Sequence, residues 1–313
     1  MKKILISGKN GQLITDLIKE LNKYLEKYEI YAYDRNEYDV TNHNQTKELF
    51  DNINPDIFIQ GASYHNVEQI ENYIDEAVKT NVSSLHTIAK LCQENNTLLI
   101  NFSTNYVFSG NEIQNKNFRS TNEGFIEDIT PWPLNIYGIL KYAGEQTVAR
   151  YCTKYLNFRV SGLFGITGSR AKNNTNFPIN IIKDIAHGKE IKAVNDQSMN
   201  VTYTCDASKA IVDLLNSLKI DDDQIPDFIK YGTYHLTNFG TLSWYDLAKF
   251  ICEYHEYSNL KEVKTEEFYS NIKRPKYSAL SCEKLLRNFG IILPDWKSAI
   301  IRFLYEYNHR EKI

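Results

Sequence analysis

The chain has 313 residues, 42% of them hydrophobic and 24% charged, which excludes a disordered protein and allows one large or two modest domains with a real core. Its net charge is −3 with lysines and acids interspersed, which is not the pattern of a protein that binds nucleic acid or anionic membranes. Five scattered cysteines without a C-x-x-C pair indicate a reducing compartment, and no apolar run approaches a membrane span, so we expect a cytoplasmic protein without membrane or nucleic-acid partners.

From residue 1 to about 160, short apolar runs alternate with longer amphipathic stretches. The runs predict buried strands, and stretches such as 70–95, with apolar residues every three or four positions, predict helices. Strict alternation implies parallel pairing with right-handed crossovers. The sequence therefore predicts an α/β fold of the Rossmann type, a doubly wound parallel sheet. Its first strands are expected at KILIS, IYAY, DIFIQ, TLLINFS and YLNFRV.

The stretch SGKNGQLI after the first strand places Gly8 and Gly11 where the first helix should begin. Such a turn lets backbone N–H groups approach a pyrophosphate, although a plain strand-to-helix turn has the same pattern. Asp34, at the end of the second strand, could bind the ribose hydroxyls of NADH, whereas Arg35 could bind the 2′-phosphate of NADPH, so both cofactors stay open. Ile14 stands where a dinucleotide fingerprint has a third glycine, which predicts weakened or reshaped cofactor binding.

Ser103 and Thr104 follow the fourth strand, at the edge where open α/β sheets bind ligands. Some thirty residues later, Tyr137 opens a predicted helix and Lys141 follows one turn on. This constellation resembles that of the short-chain dehydrogenase/reductase superfamily. The spacing Tyr-x-x-x-Lys occurs four times, but only this pair has a strand-end hydroxyl before it; the other pairs begin at Tyr245, Tyr257 and Tyr269.

These residue types suit the reduction of a carbonyl by a nicotinamide hydride. The resulting alkoxide needs a proton, which Tyr137 can give if the pKa of its phenol, about 10 when unperturbed, is lowered toward working pH. Lys141 would stabilise the phenolate and bind the nicotinamide ribose, and Thr104 would polarise the substrate oxygen. No His, Cys and Asp cluster has metal-ligand spacing, so we expect no catalytic metal.

Beyond residue 160 the regular alternation ends. A polar, glycine-bearing loop at 162–178 precedes further predicted elements: helices at 178–187, 205–218, 243–255 and 295–309, strands at 190–194 and 232–238, and an acidic loop at 219–227. We interpret this half as a smaller substrate domain interleaved with the first. The predicted boundaries are 1–162 with 198–240 for the dinucleotide-binding domain, and 163–197 with 241–313 for the substrate domain.

Phrases along almost the whole chain resemble the dTDP-4-dehydrorhamnose reductases, extended short-chain enzymes that reduce a 4-keto nucleotide sugar. They occur in family order: ILISGKNGQL, STNYVFSG, PLNIYGILKYAGE, NFRVSGLFG, NDQ, TYHLTN, SWYDLAKFI and KRPKYSALSCEKL. The resemblance implies NAD(P)H-dependent reduction of a nucleotide-linked 4-keto deoxysugar for a surface polysaccharide. Whether the chain forms a homodimer stays open.

The resemblance also implies roles for individual residues. The catalytic set is Thr104, Tyr137 and Lys141. Gly8, Gly11, Gln12 and Leu13 would bind the cofactor phosphates, Asp39 and Val40 would lie near the adenine, and Ala62 would lie beside the dinucleotide. The substrate residues would be Asn105, Asn176, Phe177 and Gln197, with ordinary packing an equal alternative for Phe177.

Departures from the family cluster in the substrate half. Asn105 replaces an aspartate, Gly162 replaces a bulky aromatic residue, and the segment ASYHNV introduces His65, either a second proton-transfer group or a surface or capping histidine. The loop at 109–126 is also longer. Two alternatives stay open: an epimerase or dehydratase, against which Asn105 argues because a dehydratase has an acidic pair beside Thr104, and a non-catalytic regulatory or binding homologue.

Overall fold

The computed structural model describes residues 1–110, 124–169, 173–218, 231–268 and 272–310. Its strands, in chain order, are β1 (Lys2–Ser7), β2 (Tyr28–Tyr33), β3 (Ile57–Gln60), β4 (Leu98–Thr104), β5 (Tyr155–Val160), β6 (Leu163–Phe164), β7 (Ile191–Val194), β8 (Ser198–Met199), β9 (Thr202–Tyr203), β10 (Gly232–His235), β11 (Asn238–Phe239), β12 (Leu242–Ser243), β13 (Leu260–Val263) and β14 (Leu293–Asp295). The five strands expected before residue 160 are confirmed, each within two residues at either end.

The α-helices of the same residues are α1 (Gln12–Leu21), α2 (His43–Ile53), α3 (Ile74–Val78), α4 (Ser84–Glu94), α5 (Ile136–Tyr151), α6 (Phe177–Ala186), α7 (Thr204–Ser217), α8 (Trp244–Tyr254), α9 (Glu283–Phe289) and α10 (Trp296–His309). The helices expected near 178–187, 205–218, 243–255 and 295–309 are confirmed. The strand expected at 232–238 is shorter, because β10 ends at His235 and Asn238 belongs to β11, which pairs with β14 instead.

Six of these strands form one parallel sheet in the order β10-β5-β4-β3-β1-β2. The chain runs from β1 to β2 on one side and then returns to β3 on the other side of β1. At such a reversal the loops after neighbouring strands diverge and leave a crevice at the carboxyl edge of the sheet. The predicted Rossmann-type doubly wound sheet is therefore confirmed.

The central strands are buried on both faces. In β4, Leu98 and Ile100 pack into the layer that contains α1 and α7, whereas Leu99 packs into the layer that contains α2, α4 and α5. A strand enclosed in this way has little freedom to move. Thr104 at the end of β4 consequently stands on a rigid support.

A second, smaller core lies between α6, α8 and α10. Its centre is aromatic: the Phe164 ring stacks on Tyr203 at 5.2 Å and meets Phe303 edge-on at 5.4 Å. Short strand pairs surround it, and they join β7 to β13, β8 to β12 and β6 to β9. The residues of this core come from segments before and after β10 in the chain, and the domain boundaries given above stay a prediction.

The single helical pattern over 70–95 is wrong in detail. The structure divides it into a 3-10 turn at Ile70–Asn72, α3, a π-helical turn at Lys79–Ser83, and α4. The π turn directs the buried Asn81 amide toward the loop after β3, where it accepts from the Tyr64 N–H at 2.9 Å and donates to the Tyr64 carbonyl at 2.8 Å. Extra residues in a helical turn often occur where a side chain has such a task.

Three sequence predictions fall outside the described residues: the acidic loop at 219–227, most of the longer loop at 109–126, and Tyr269. Within the described ranges, none of the helices has both the length and the apolar character that crossing a membrane requires.

Candidate active site

A cavity of about 320 Å³ opens at the carboxyl edge of the sheet, between the loops after β1, β3, β4 and β5 and the N-termini of α6 and α8. Its wall contains many of the predicted site residues: Gly11, Gln12, Leu13, Thr104, Asn105, Tyr137, Lys141, Asn176 and Phe177. The catalytic, phosphate-binding and sugar-binding predictions thus meet in one space.

Tyr137 lies in the first turn of α5, and its position is fixed by the cap of that helix. The Asn135 side chain accepts a hydrogen bond from the Gly138 N–H at 2.9 Å and donates to the Lys273 carbonyl at 3.0 Å. A capping amide satisfies one of the free N–H groups at a helix start and so defines where the helix begins. Lys141 follows one turn later and reaches the same cavity.

Thr104 presents its hydroxyl where β4 ends. Its Oγ1 accepts from the Tyr106 N–H at 3.2 Å and donates to the Asn105 Oδ1 at 3.3 Å. Asn105 in turn donates to the Ser278 hydroxyl at 2.8 Å, which ties it to the C-terminal segment. The neutral amide leaves this corner without the carboxylate that an acidic pair would supply.

Burial governs the pKa values of Tyr137 and Lys141. It raises the pKa of Tyr137 to about 12, although a hydrogen bond with Thr104 lowers it. It lowers the pKa of Lys141 to about 8, although the Glu145 carboxylate raises it. The pKa of the Tyr137 phenol is thus raised by burial and not lowered toward working pH, the condition considered above for proton donation. At neutral pH the phenol holds its proton, which is the form that a proton donor needs.

The start of α1 fits a dinucleotide. Gly11 is its N-cap and supplies no side-chain hydrogen bond, so the first N–H groups of the helix are left for a ligand at the cavity wall. Gly8 has a φ of +71°, and a Cβ there would lie 2.8 Å from the Ala62 nitrogen. Only glycine allows the loops after β1 and β3 to approach so closely. The residues present therefore suit a pyrophosphate.

Ile14, the residue in place of the third glycine, is accommodated by a second glycine. It is buried against the loop after β3, and a Cβ on Gly61 would lie 2.3 Å from the Ile14 Cγ1. Because Gly61 has no side chain, the Ile14 side chain has room to pack there. No sequence pattern predicts that these two positions are in contact.

The adenosine end of the predicted site lies outside the cavity wall, beside β2. Asp34 accepts from the Asn36 and Glu37 N–H groups and from the Asn10 amide at 3.0 Å, and these donors, the Asn36 N–H first, lower the pKa of its carboxyl. Since Asn10 belongs to the glycine loop, Asp34 stands next to it, as a ribose ligand would. The Arg35 side chain is 80% exposed.

Two further predictions near β2 differ in character. The Asp39 carboxylate accepts from the Thr41 N–H at 2.9 Å and lies 3.9 Å from the Arg35 guanidinium. The Val40 side chain, in contrast, is buried in the core layer of α2 and α4. The side chain of Val40 therefore serves packing, and only its backbone could face an adenine.

On the substrate side, Asn176 joins the two halves of the site. It caps α6 by accepting from the Ile179 N–H at 3.1 Å, and it donates to the Gln12 side chain at 2.9 Å and to the Gly165 carbonyl at 2.8 Å. Because the Asn176 amide makes all these hydrogen bonds within the protein, it holds the segments of the wall together rather than offering free groups to a ligand. A residue expected to bind substrate thus connects the cofactor loop to the second core.

Phe177 lines the cavity and also packs on Trp244 at a distance of 4.7 Å between ring centres. Its position is therefore compatible with both interpretations, a residue of the substrate site and a packing residue. Gln197 lies outside the cavity wall, and its amide donates to the Thr265 hydroxyl at 3.0 Å. The structure does not bring Gln197 to the site.

Several wall residues were not predicted from sequence. His65, whose role was open, lines the wall with its Nε2 2.9 Å from the Ser169 Oγ, which joins the loop after β3 to the substrate side. Trp244 lines the wall from far along the chain, and the distant Ser278 accepts a hydrogen bond from the wall residue Asn105. No spacing rule links such distant positions, although Trp244 lies in the family phrase SWYDLAKFI.

The other tyrosine–lysine pairs of the described chain lie elsewhere. Tyr245 belongs to α8 and Tyr257 to the turn before β13, and neither lines the cavity. Among the described residues, no group of three or more His, Cys, Asp and Glu side chains is placed so that it could hold a metal ion.

Comparison with known proteins agrees with this geometry. The profile described as "RmlD substrate binding domain" matches residues 1–309. The chain belongs to this family. A curated relative, the dTDP-4-dehydrorhamnose reductase of Escherichia coli K12, is 30% identical over 317 residues, covering 97% of each chain. The family resemblance inferred from sequence motifs is thereby confirmed.

Two other family relatives bear on cofactor and pathway. The crystal structure of dTDP-4-dehydrorhamnose reductase from Bacillus anthracis in complex with NADP superposes with a TM-score of 0.84 at 35% identity, covering 97% of this chain and 99% of that one. The spore coat polysaccharide biosynthesis protein SpsK of Bacillus subtilis is 28% identical over 307 residues, with 98% of each chain covered.

Proposed function

We propose that this protein reduces the ketone of a nucleotide-linked 4-keto deoxysugar, with NADH or NADPH as hydride donor, in the synthesis of a surface polysaccharide. The observation that carries the proposal is the meeting of Thr104, Tyr137 and Lys141 in one cavity with the uncapped start of α1. The relatives named as dTDP-4-dehydrorhamnose reductases and as a polysaccharide biosynthesis protein support the substrate class.

The cofactor, when bound, supplies the hydride. The N–H groups of Gln12 and Leu13 and the glycine loop would hold its pyrophosphate, and Asp34 would bind its adenosine ribose. Lys141 would hold the nicotinamide ribose hydroxyls by its ammonium group. Phe177 and Trp244 would form the apolar wall for the sugar nucleotide, as aromatic side chains often do in small-molecule sites.

Proton transfer is assigned to Tyr137. The Thr104 hydroxyl would turn from Asn105 to the ketone oxygen and stabilise the negative charge that develops there. Tyr137 would then give its phenolic proton to this oxygen, and the neighbouring Lys141 ammonium would stabilise the phenolate that is left. Burial keeps Tyr137 protonated until that moment.

The test is the variant Tyr137→Phe, assayed by NAD(P)H absorbance with dTDP-, UDP-, GDP- and CDP-linked 4-keto sugars. We expect kcat to fall by about 10² to 10⁴ while cofactor affinity, measured by calorimetry, stays the same. Tyr245→Phe is the matched control, because Tyr245 has the same spacing to a lysine but lies outside the cavity. Full turnover by Tyr137→Phe would rule out the assigned donor.

Two rival functions make different predictions. An epimerase or dehydratase would retain cofactor through purification and need another acid or base beside Thr104, where the neutral Asn105 stands. A non-catalytic homologue would bind neither NADH nor NADPH in a saturable manner. We also propose that the protein is cytoplasmic, which its five free cysteines support. A homodimer is a further proposal, and light scattering of the purified protein tests it.

A further inference from the structure

A buried ion pair lies directly behind the catalytic helix. Arg159 of β5 grips Glu145 of α5 with two hydrogen bonds: Nε donates to Oε1 at 2.9 Å and Nη2 donates to Oε2 at 2.7 Å. The two side chains are 4% and 1% exposed. A two-point guanidinium–carboxylate contact fixes both direction and distance, which a single point charge cannot do.

Glu145 belongs to the face of α5 that carries the chemistry. Positions 137, 141 and 145 follow one another at intervals of four residues, so Tyr137, Lys141 and Glu145 are stacked along one side of the helix. Glu145 is also the charge that acts on Lys141, since it raises the lysine pKa against the effect of burial. A carboxylate that could pair with Lys141 therefore lies one helical turn away.

Arg159 is itself held from several sides. Its Nη1 donates to the Glu127 carbonyl at 3.3 Å, and its guanidinium lies 5.2 Å from the centre of the Phe108 ring. His235 contacts the same Nη1 at 3.4 Å, and burial together with the Arg159 charge lowers the His235 pKa well below its ordinary value. A neutral His235 does not compete with Arg159 for Glu145.

We infer that Arg159 is a positioning residue for the reduction: by occupying both oxygens of Glu145, it prevents this carboxylate from pairing with Lys141 and leaves the ammonium directed to the cleft. The importance of Lys141 for turnover rests on the proposed function. The position of Arg159 supports the inference further, since β5 pairs it in register with Ser103, next to Thr104.

Other titratable groups do not provide this control. Within the part of the chain that the structure describes, the titratable groups that contact α5 from neighbouring elements include, besides Arg159, Glu71, His86, Tyr106 and Tyr155. Lys79, in the π-helical turn that packs on α5, is exposed. On the helix itself, Tyr137 stays protonated and uncharged at neutral pH. Glu145 is therefore the group whose release from Arg159 would change the pKa of Lys141.

The two ends of the ion pair therefore have opposite effects. In Arg159→Gln the freed Glu145 carboxylate turns to Lys141, and the lysine titrates above its present value of about 8, toward the ordinary value for lysine. In Glu145→Gln the lysine loses the negative charge that raises its pKa, and it titrates below about 8. The loss of helix packing alone would not produce two shifts of opposite sign.

The experiment follows the Lys141 side chain by NMR as a function of pH in the full protein without cofactor, with the resonance assigned from Lys141→Arg. In parallel, the alkaline limb of kcat/KM is measured. In wild type we expect kcat/KM to fall near pH 8, where Lys141 loses its proton. The fall should come at a higher pH in Arg159→Gln and at a lower pH in Glu145→Gln. At neutral pH, Arg159→Gln should lower kcat about ten- to a hundredfold, because the ammonium is turned from the cleft.

Two further variants keep the test decisive. Arg159→Lys, which can hold one oxygen of Glu145, should give an intermediate titration. The double variant Arg159→Gln/Glu145→Gln leaves neither member of the ion pair buried without its partner, so it should fold if either single variant does not. Its Lys141 should titrate at a lower pH than in Arg159→Gln and at the same pH as in Glu145→Gln. An unchanged Lys141 titration in folded Arg159→Gln, or in the double variant, overturns the inference. If the shifts occur but wild type reduces no 4-keto sugar, the control of Lys141 by Arg159 stands and the proposed function fails.

Discussion

The two walls of the cavity are built in different ways. The cofactor wall comes from consecutive pieces of chain at the ends of β1, β3 and β4, which are buried on both faces, so Gly11 and Thr104 owe their positions to the sheet. The substrate wall comes from segments of the second core and is joined to the cofactor wall by side chains, as in the Asn176–Gln12 and His65–Ser169 contacts. The first wall should thus tolerate changes in chemistry without loss of shape, whereas changes in the second should alter shape and substrate affinity together.

The largest expected effect lies at the rigid wall. Thr104→Val keeps the volume of the side chain but removes the hydroxyl that would hold the ketone oxygen, and we expect kcat to fall about 10²- to 10³-fold. Because β4 carries this position, the melting temperature and the cofactor affinity should change little. Thr104→Ser restores a hydroxyl and should recover most of the activity. A Thr104→Val enzyme with wild-type kcat would contradict the assigned role.

A second test concerns how closely the rigid wall is packed. A Cβ on Gly61 would lie 2.3 Å from the Ile14 Cγ1 and 2.5 Å from the Ser7 carbonyl, so Gly61→Ala should lower the free energy of unfolding by about 1–3 kcal/mol. Chemical denaturation measures the change. The double variant Gly61→Ala/Ile14→Ala should lose less unfolding free energy than the sum of the two single losses, because the smaller residue at position 14 relieves one of the two close contacts. Strict additivity would show that the two positions are not coupled.

At the connection between the walls, Asn176→Ala removes a helix cap and the contact with Gln12. We expect a loss of about 1–2 kcal/mol in the free energy of unfolding and a several-fold higher KM for the sugar nucleotide. Asn42→Ala is the matched control, because Asn42 caps α2 in the same way by accepting from the Gln45 N–H at 3.1 Å but lies away from the cavity. The control should lose stability without a change in KM; equal KM values for both variants would argue against the connecting role.

The smallest effect is expected at the adenosine edge. Asp34→Asn retains an acceptor for the Asn36 N–H but removes the charge that would repel a 2′-phosphate. The affinity for NADPH relative to NADH should rise about tenfold, measured by fluorescence titration of each cofactor. Arg35→Ala should shift the ratio in the opposite direction. If neither substitution alters the ratio, the adenosine ribose binds elsewhere.

The sequence was sufficient wherever a function depends on neighbours along the chain. Gly8 and Gly11, Asp34 after β2, and the interval between Tyr137 and Lys141 are local patterns, and parallel strand pairing brings them to one edge because all strands of the sheet point the same way. Alternating strands and helices likewise fix the α/β fold. The position at the end of β4, together with the family motifs, likewise predicts Thr104 as the third member of the proposed catalytic set.

Only the tertiary structure determined contacts between positions that are distant in sequence. Three such contacts are the packing of Ile14 against Gly61, the ion pair of Arg159 with Glu145, and the hydrogen bond that holds Gln197 away from the cavity. Each depends on distances of a few ångströms between side chains or backbone atoms. The raised pKa of Tyr137 also depends on burial by many segments at once. A one-dimensional pattern sets which faces of strands and helices are apolar, but desolvation and close packing act among side chains that the fold alone brings together.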